Sequence, residues 1–343
     1  MKIATTVGYW SSGPPSDAAQ LFATADELRL DQVWTAEAYG SDAWTPLAWW
    51  GSRTSHVKLG TAISQLSARP PATLAMAAMT MDHLTQGRIL IGVGTSNPQV
   101  VEGWYGQPYP RPLERTREYV EILRAIIARE GPVVYQGKHY QLPLQGGTGL
   151  GKPLRSILHP YRTKIPIYIG AEGPKNVALA AEIADGWNTI FFSPSMNDFY
   201  AAALAEGFAR PGARHTAGTF DVVGGPMRII VDDDTEWAAD QLRPALALYI
   251  GGMGARGVNY HHEVFARMGY EAEAAVIQDH YLAGDKKAAI AAVPTAMVED
   301  VALIGPWAKI ADEIQRWQQT VLTTFSVNTD LRHLRKVAEL LRR

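Results

Sequence analysis

None of the 343 residues is a cysteine. That excludes disulfides, thiolate nucleophiles and cysteine-ligated zinc, and it suits a reducing compartment. Long apolar runs are missing too, since no stretch approaches the roughly 20 residues a membrane helix requires. Nor is there an excess of basic charge. Lys plus Arg total 32 against 34 Asp plus Glu, a formal net charge of −2, and no basic run offers a track for nucleic acid. Met1-Lys2 leads straight into Ile3-Ala4-Thr5-Thr6-Val7, without the charged and then apolar pattern of a secretory leader. The expectation is a soluble cytoplasmic protein acting on a small molecule, with neither nucleic acid nor membrane as a partner.

What is present is a large apolar fraction, 47%, arranged in a repeating strand–helix rhythm. Strand patterns over 2–8, 32–37, 57–65 and 88–94 alternate with helical spacing over 15–30, 44–55, 70–84 and 113–129. The rhythm breaks in the Gly-, Pro- and Gln-rich segment 131–163 and resumes at Ile165. Strands over 165–170, 186–192 and 220–231 follow, then a long helical stretch over about 236–300. A helix over 307–319, a strand over 322–328 and a helix over 331–341 close the chain. Eight β/α units without a linker predict one domain, a (β/α)8 TIM barrel, over 1–343. It carries insertions after strand 4 (131–163, read as a lid) and around helix 7 (236–300). Apolar helices between Leu242 and Tyr281 exceed what an outer ring needs, so a homodimer is expected.

Two strand exits share one design. Arg88-Ile89-Leu90-Ile91-Gly92-Val93-Gly94-Thr95-Ser96 and Pro166-Ile167-Tyr168-Ile169-Gly170-Ala171-Glu172-Gly173-Pro174 are apolar runs ending in small residues. Such ends let a ligand approach the backbone. The second opens a helix at Pro174, whose free N–H groups suit a phosphate. Other motifs carry less. Gly146-Gly147-Thr148-Gly149-Leu150-Gly151-Lys152-Pro153 nearly spells a P-loop, but Pro153 stands where a magnesium-binding hydroxyl is required. Gly92-Val93-Gly94 lacks the third glycine of a dinucleotide fingerprint. His261-His262-Glu263 cannot share a metal from one helix, because neighbours diverge by about 100°; no metal is expected. In a barrel the chemistry sits where strands end. That rule selects Tyr9 and Trp10, Glu37-Ala38-Tyr39, Ile63-Ser64-Gln65, Thr95-Ser96-Asn97, Gly170 to Gly173, Asn188 and Phe191. An aromatic, amide-rich set with no nucleophile–base pair suits a flat, phosphorylated redox cofactor.

Gly60-Thr61-Ala62-Ile63-Ser64, Arg69-Pro70-Pro71-Ala72, Gly87-Arg88-Ile89-Leu90-Ile91-Gly92-Val93-Gly94-Thr95 and Ala180-Ala181-Glu182-Ile183-Ala184-Asp185-Gly186-Trp187 resemble the bacterial luciferase-like superfamily. Gln99 to Gly106 and Pro112 to Tyr119 resemble its actinobacterial branch, which uses the deazaflavin coenzyme F420. The resemblance implies a non-prolyl cis bond at Ala62–Ile63 backing the cofactor ring. Further contacts would come from Ala38, Gln65 and Gly94-Thr95-Ser96, with the phosphate at Gly170-Ala171-Glu172-Gly173. It also implies an F420-dependent hydride transfer to or from an organic substrate, with Glu37 or Tyr39 as the acid. Two departures stand out: Ala38 replaces a histidine carried by several deazaflavin enzymes, and Asn97 replaces a glutamate of the sugar-phosphate dehydrogenases. The alternatives are an FMN-dependent monooxygenase of the same fold and a non-catalytic F420-binding protein.

Overall fold

The structure, a computed structural model, describes residues 1–10 and 12–342. Eight parallel strands close into a barrel: β1 (Lys2–Gly8), β2 (Gln32–Thr35), β3 (Lys58–Thr61, resuming at Ser64–Gln65), β4 (Ile89–Gly94), β5 (Ile167–Gly170), β6 (Gly186–Asn188), β7 (Asp221–Gly224) and β8 (Thr324–Val327). Each pairs with its sequence neighbours, and β8 returns to β1 with Ala4 opposite Ser326. The outer ring is α1 (Ala18–Glu27), α2 (Trp44–Gly51), α3 (Pro71–Leu84), α4 (Pro112–Ala128), α5 (Pro174–Ile183), α6 (Asn197–Phe208), α7 (Trp307–Gln318) and α8 (Leu331–Leu341). β4 and the first three residues of β5 are buried, as strands covered on both faces must be, and their Val/Ile-rich runs supply the apolar surface. Inside the barrel, Ala4, Trp34, Leu90, Tyr168 and Val223 form a small core that plugs its centre.

The second insertion departs from the expected pattern in two ways. The strand expected over 220–231 is two strands. β7 ends at Gly224, and Ile229–Val231 pairs instead with Leu303–Gly305 outside the barrel. Gly225 lies so close to β8 that a Cβ there would meet the Ser326 carbonyl at 2.4 Å, and Pro226 lacks an N–H, so the ladder stops. The helical stretch expected over 236–300 is a series of short helices, broken at glycines with positive φ such as Gly269 and Gly284. Many of its apolar side chains turn inward. Leu246, Ile250, Val264, Phe265, Ile277 and Val298 are buried in a second core of this chain. This core takes up much of the apolar surface that motivated the expected homodimer, while Val258, Tyr260 and Val276 stay exposed.

Segment 131–163 lies outside the alternation. Its hairpin, Tyr135–Gln136 against Gln141–Leu142, climbs the outside of α4, where Glu118 accepts hydrogen bonds from the N–H groups of Lys138, His139 and Tyr140. The chain then returns to the far end of α3, where Arg162 pairs with the buried Asp82. Its P-loop-like stretch is exposed and opens no helix.

Candidate functional site

The C-terminal ends of the strands surround a cavity of about 1130 Å³. Of the residues expected at the site, Glu37, Ala38, Ala62, Ile63, Gln65, Gly94, Thr95, Ser96, Gly170, Ala171, Glu172 and Gly173 all line it. Tyr39 is half-exposed and lies outside the lining.

The Ala62–Ile63 peptide bond is cis, at the position the resemblance implies. Gly60 faces Leu90 and Ser64 faces Val93, so β3 holds one residue more than β4 between these pairs. This is a bulge, the usual device for re-aiming a side chain at a barrel rim. Ile63 is what it aims. A Cβ on Gly94 or on Gly170 would each come 2.7 Å from the Ile63 side chain. These two glycines, read from the sequence as room for a ligand, make room for Ile63, which then forms a firm apolar platform in the cavity.

Gly173 is different. It caps α5 with ordinary extended dihedrals (φ −76°), and a Cβ built on it would meet nothing within 4 Å. No side chain caps this helix, and Pro174 has no N–H. Asn176 and Val177 both turn their N–H groups back onto the Gly173 carbonyl, which leaves those of Gly173 and Lys175 without a described partner. Free donors, the positive end of the helix dipole and open space beside them suit a phosphate. Glu172 would repel an anion, but its Oε1 lies 2.7 Å from His261 Nδ1 and so faces a potential cation. His261 is held in turn by edge contacts with Tyr249 and Phe191, ring centroids 4.8 and 5.6 Å away.

On the opposite wall the Glu37 carboxylate is fully engaged. It accepts from Arg69 Nη1 through both oxygens at 2.8 Å, from the Gln65 N–H at 2.9 Å and from the Ala43 N–H at 3.2 Å. Three donors make four hydrogen bonds to its two oxygens, so this group anchors β3 to the β2 exit. It also orients Gln65, whose Nε2 donates to the Ala38 carbonyl at 2.8 Å while Oε1 stays unpaired. The cavity collects further orphans: both amide atoms of Asn188, Thr189 Oγ1, Asn176 Oδ1 and Glu172 Oε2 have no hydrogen-bond partner among the described residues. Buried polar atoms are satisfied almost everywhere in proteins, so a cluster of orphans around one cavity points to a polar ligand. The uncapped α5, the open Gly173, the Ile63 platform and these atoms together fit a flat ring system that carries a phosphate.

The sequence profile of luciferase-like monooxygenases matches residues 2–324. The chain belongs to this family. It is 49% identical over 329 residues, 95% of this chain and 94% of the other, to a protein of Mycobacterium tuberculosis named as a candidate coenzyme F420-dependent oxidoreductase. It is 31% identical over 233 residues, 66% of this chain and 64% of the other, to the 5,10-methylenetetrahydromethanopterin reductase of Archaeoglobus fulgidus. Its fold matches that of the coenzyme F420-dependent tetrahydromethanopterin reductase of Methanopyrus kandleri with a TM-score of 0.76, at 23% identity, over 99% of this chain and 97% of that one.

Within this luciferase-like barrel, the residues that the sequence left aside come mostly from the second insertion. Tyr249, Met253, Tyr260 and His261 close one side of the cavity. Three polar contacts fasten them to strand exits: Tyr9 OH to Tyr249 OH at 2.9 Å, Asn97 Nδ2 to the Met253 carbonyl at 3.1 Å, and Glu172 to His261. Burial and the neighbouring Tyr9 push the Tyr249 phenol well above its ordinary range, so it stays protonated. Asn97 also caps the short helix Pro98–Gly103 by accepting from the Val100 N–H. His261 had no local signal beyond its neighbours His262 and Glu263. Only the tertiary fold carries it to Glu172.

Proposed function

We propose that this chain is an F420-dependent oxidoreductase that transfers a hydride between the deazaflavin C5 and an organic substrate. The phosphate would lie on the N–H groups of Gly173 and Lys175, beside Gly170, Ala171 and Asn176. The ring would lie against Ala62 and Ile63, with Gly94, Thr95, Ser96, Ala38 and Gln65 at its margins. The coenzyme, when bound, supplies or accepts the hydride at C5. Glu37 acts by positioning Gln65 and the bulge, and Tyr39 lies outside the cavity. The proton then falls to His261, whose Nδ1 faces Glu172 and whose Nε2 has no described partner. Nε2 protonates the substrate heteroatom as its carbon gains a hydride, or takes that proton in the reverse direction, and Glu172 stabilises the imidazolium.

The observation that carries this reading is the pairing of an uncapped, open α5 start with an apolar platform in one cavity. Names of relatives that include F420 support the choice of deazaflavin over FMN. Titration with F420 and with FMN, followed by ligand absorbance and tryptophan fluorescence, tests it. F420 is expected to bind at least ten times more tightly. Tight FMN binding with none for F420 would replace this reading with a flavin monooxygenase.

A further inference from the structure

Asn188 ends β6 opposite Gly170 of β5 and Val223 of β7, with its side chain turned toward the barrel axis. A Cβ on Gly92 would come 3.0 Å from Asn188 Nδ2, so the amide lies over Gly92, close to the bulge that follows Thr61. The residue is 7% exposed, yet both Nδ2 and Oδ1 lack a hydrogen-bond partner among the described residues. Two other buried amides, Asn259 and Gln32, have partners at both ends. Asn259, 2% exposed, accepts from the N–H groups of His261 and His262 and donates to the carbonyls of Tyr249 and Ile250. Gln32 donates to Asp221 and accepts from Trp34 Nε1. A buried amide with both ends unpaired destabilises the empty protein, and an apolar side chain of similar size would not.

From this we infer that Asn188 reads the edge of the bound chromophore. Its amide presents a donor beside an acceptor in one plane, the complement of a lactam edge with C=O beside N–H. The pyrimidinedione ring of a deazaflavin has such an edge. Gln65 Oε1, also orphaned and held in place by Glu37 and Ala38, adds a fixed acceptor on the far side of the cavity. Together the two amides fix the ring in its own plane, while Ile63 supports its face. This assignment rests on the functional reading above and adds what that reading leaves open, namely which side chains recognise the ring rather than the phosphate.

Asn188→Leu keeps the size of the side chain and removes its polarity. Affinity is measured by fluorescence titration with F420 and with the phosphate-free deazaflavin chromophore, next to the thermal midpoint of the ligand-free protein. The assignment expects at least a tenfold loss of affinity for both ligands, with an unchanged or raised midpoint. Asn188→Ala, which adds no bulk, must show the same loss of affinity. Undiminished binding of the chromophore by either folded variant overturns the assignment, and so does a lowered midpoint in Asn188→Leu, because the amide would then be serving the fold. If the parent protein binds neither ligand, the functional reading fails first and this assignment with it.

Discussion

At the N-terminal end of the barrel, Asp221 accepts hydrogen bonds from Gln32 Nε2, the Tyr168 hydroxyl and the hydroxyls of Thr323 and Thr324, all at 2.7–2.9 Å, and Lys2 Nζ stands 3.3 Å away. At the C-terminal end, Asn188, Thr189, Asn176 and Glu172 hold polar atoms without a hydrogen-bond partner among the described residues. Between the two lies the apolar plug of Trp34, Tyr168 and their neighbours. The same eight strands thus build a floor whose polar groups are spent on each other and a mouth whose polar groups are kept for something else. Burial pushes the Asp221 carboxyl up. The Thr323 and Thr324 hydroxyls, the Lys2 ammonium and the Tyr168 hydroxyl outweigh that and hold it below the ordinary aspartate range. The floor stabilises the fold, and the mouth is built for a ligand at some cost to stability.

The contrast can be broken first at the floor. Asp221→Ala strands several buried donors, and such losses cost about 3–5 kcal/mol. Urea unfolding should show that loss, while the folded variant binds F420 as the parent does. At the mouth the effects should reverse. Gly173→Val places a side chain in the open space beside α5 and should weaken F420 at least tenfold, since each charge-assisted hydrogen bond contributes about 1.5–3 kcal/mol. Its ligand-free stability should fall by less than about 1 kcal/mol, the small penalty of a poorer helix cap. A variant that binds F420 normally would mean that the phosphate lies elsewhere.

Acid titration sharpens the same comparison. Asp185 is likewise held low, because Arg124, His215 and the Ile167 N–H outweigh its burial. A carboxyl whose folded pKa lies below its unfolded value stabilises the protein above the unfolded pKa, and that contribution disappears as pH falls through the folded one. Stability should therefore be level above about pH 5 and decline below about pH 4, with a shallower decline in Asp221→Asn. The smallest effect is expected at Glu172→Gln. The substitution keeps the size of the side chain, and its Oε1 already faces His261 at 2.7 Å, so F420 affinity should change less than about threefold.

The alternation of strands and helices, the closing order and the exits that form the mouth were legible because each depends on local periodicity. β4 and β5 announce themselves as apolar runs, and α8 matches its expected bounds, Leu331–Leu341. The insertion was less legible, since glycines at positive φ cut its helical pattern into pieces that composition alone does not separate. The meaning of Gly94 and Gly170 was hidden too, because it depends on Ile63 of another strand. Asn188 was visible as a strand end, but that its amide has no partner is a fact about every residue around it. Glu37 shows the converse: an acid at a strand exit looks catalytic until Arg69 and two amides are found on it.

The account stands most directly on where the coenzyme lies, and a crystal structure of the chain with F420 bound would decide it. The phosphate is expected within hydrogen-bonding distance of the Gly173 and Lys175 N–H groups, and the ring against Ile63 with its polar edge on Asn188. A phosphate away from the start of α5, or a ring out of reach of Ile63, would contradict it.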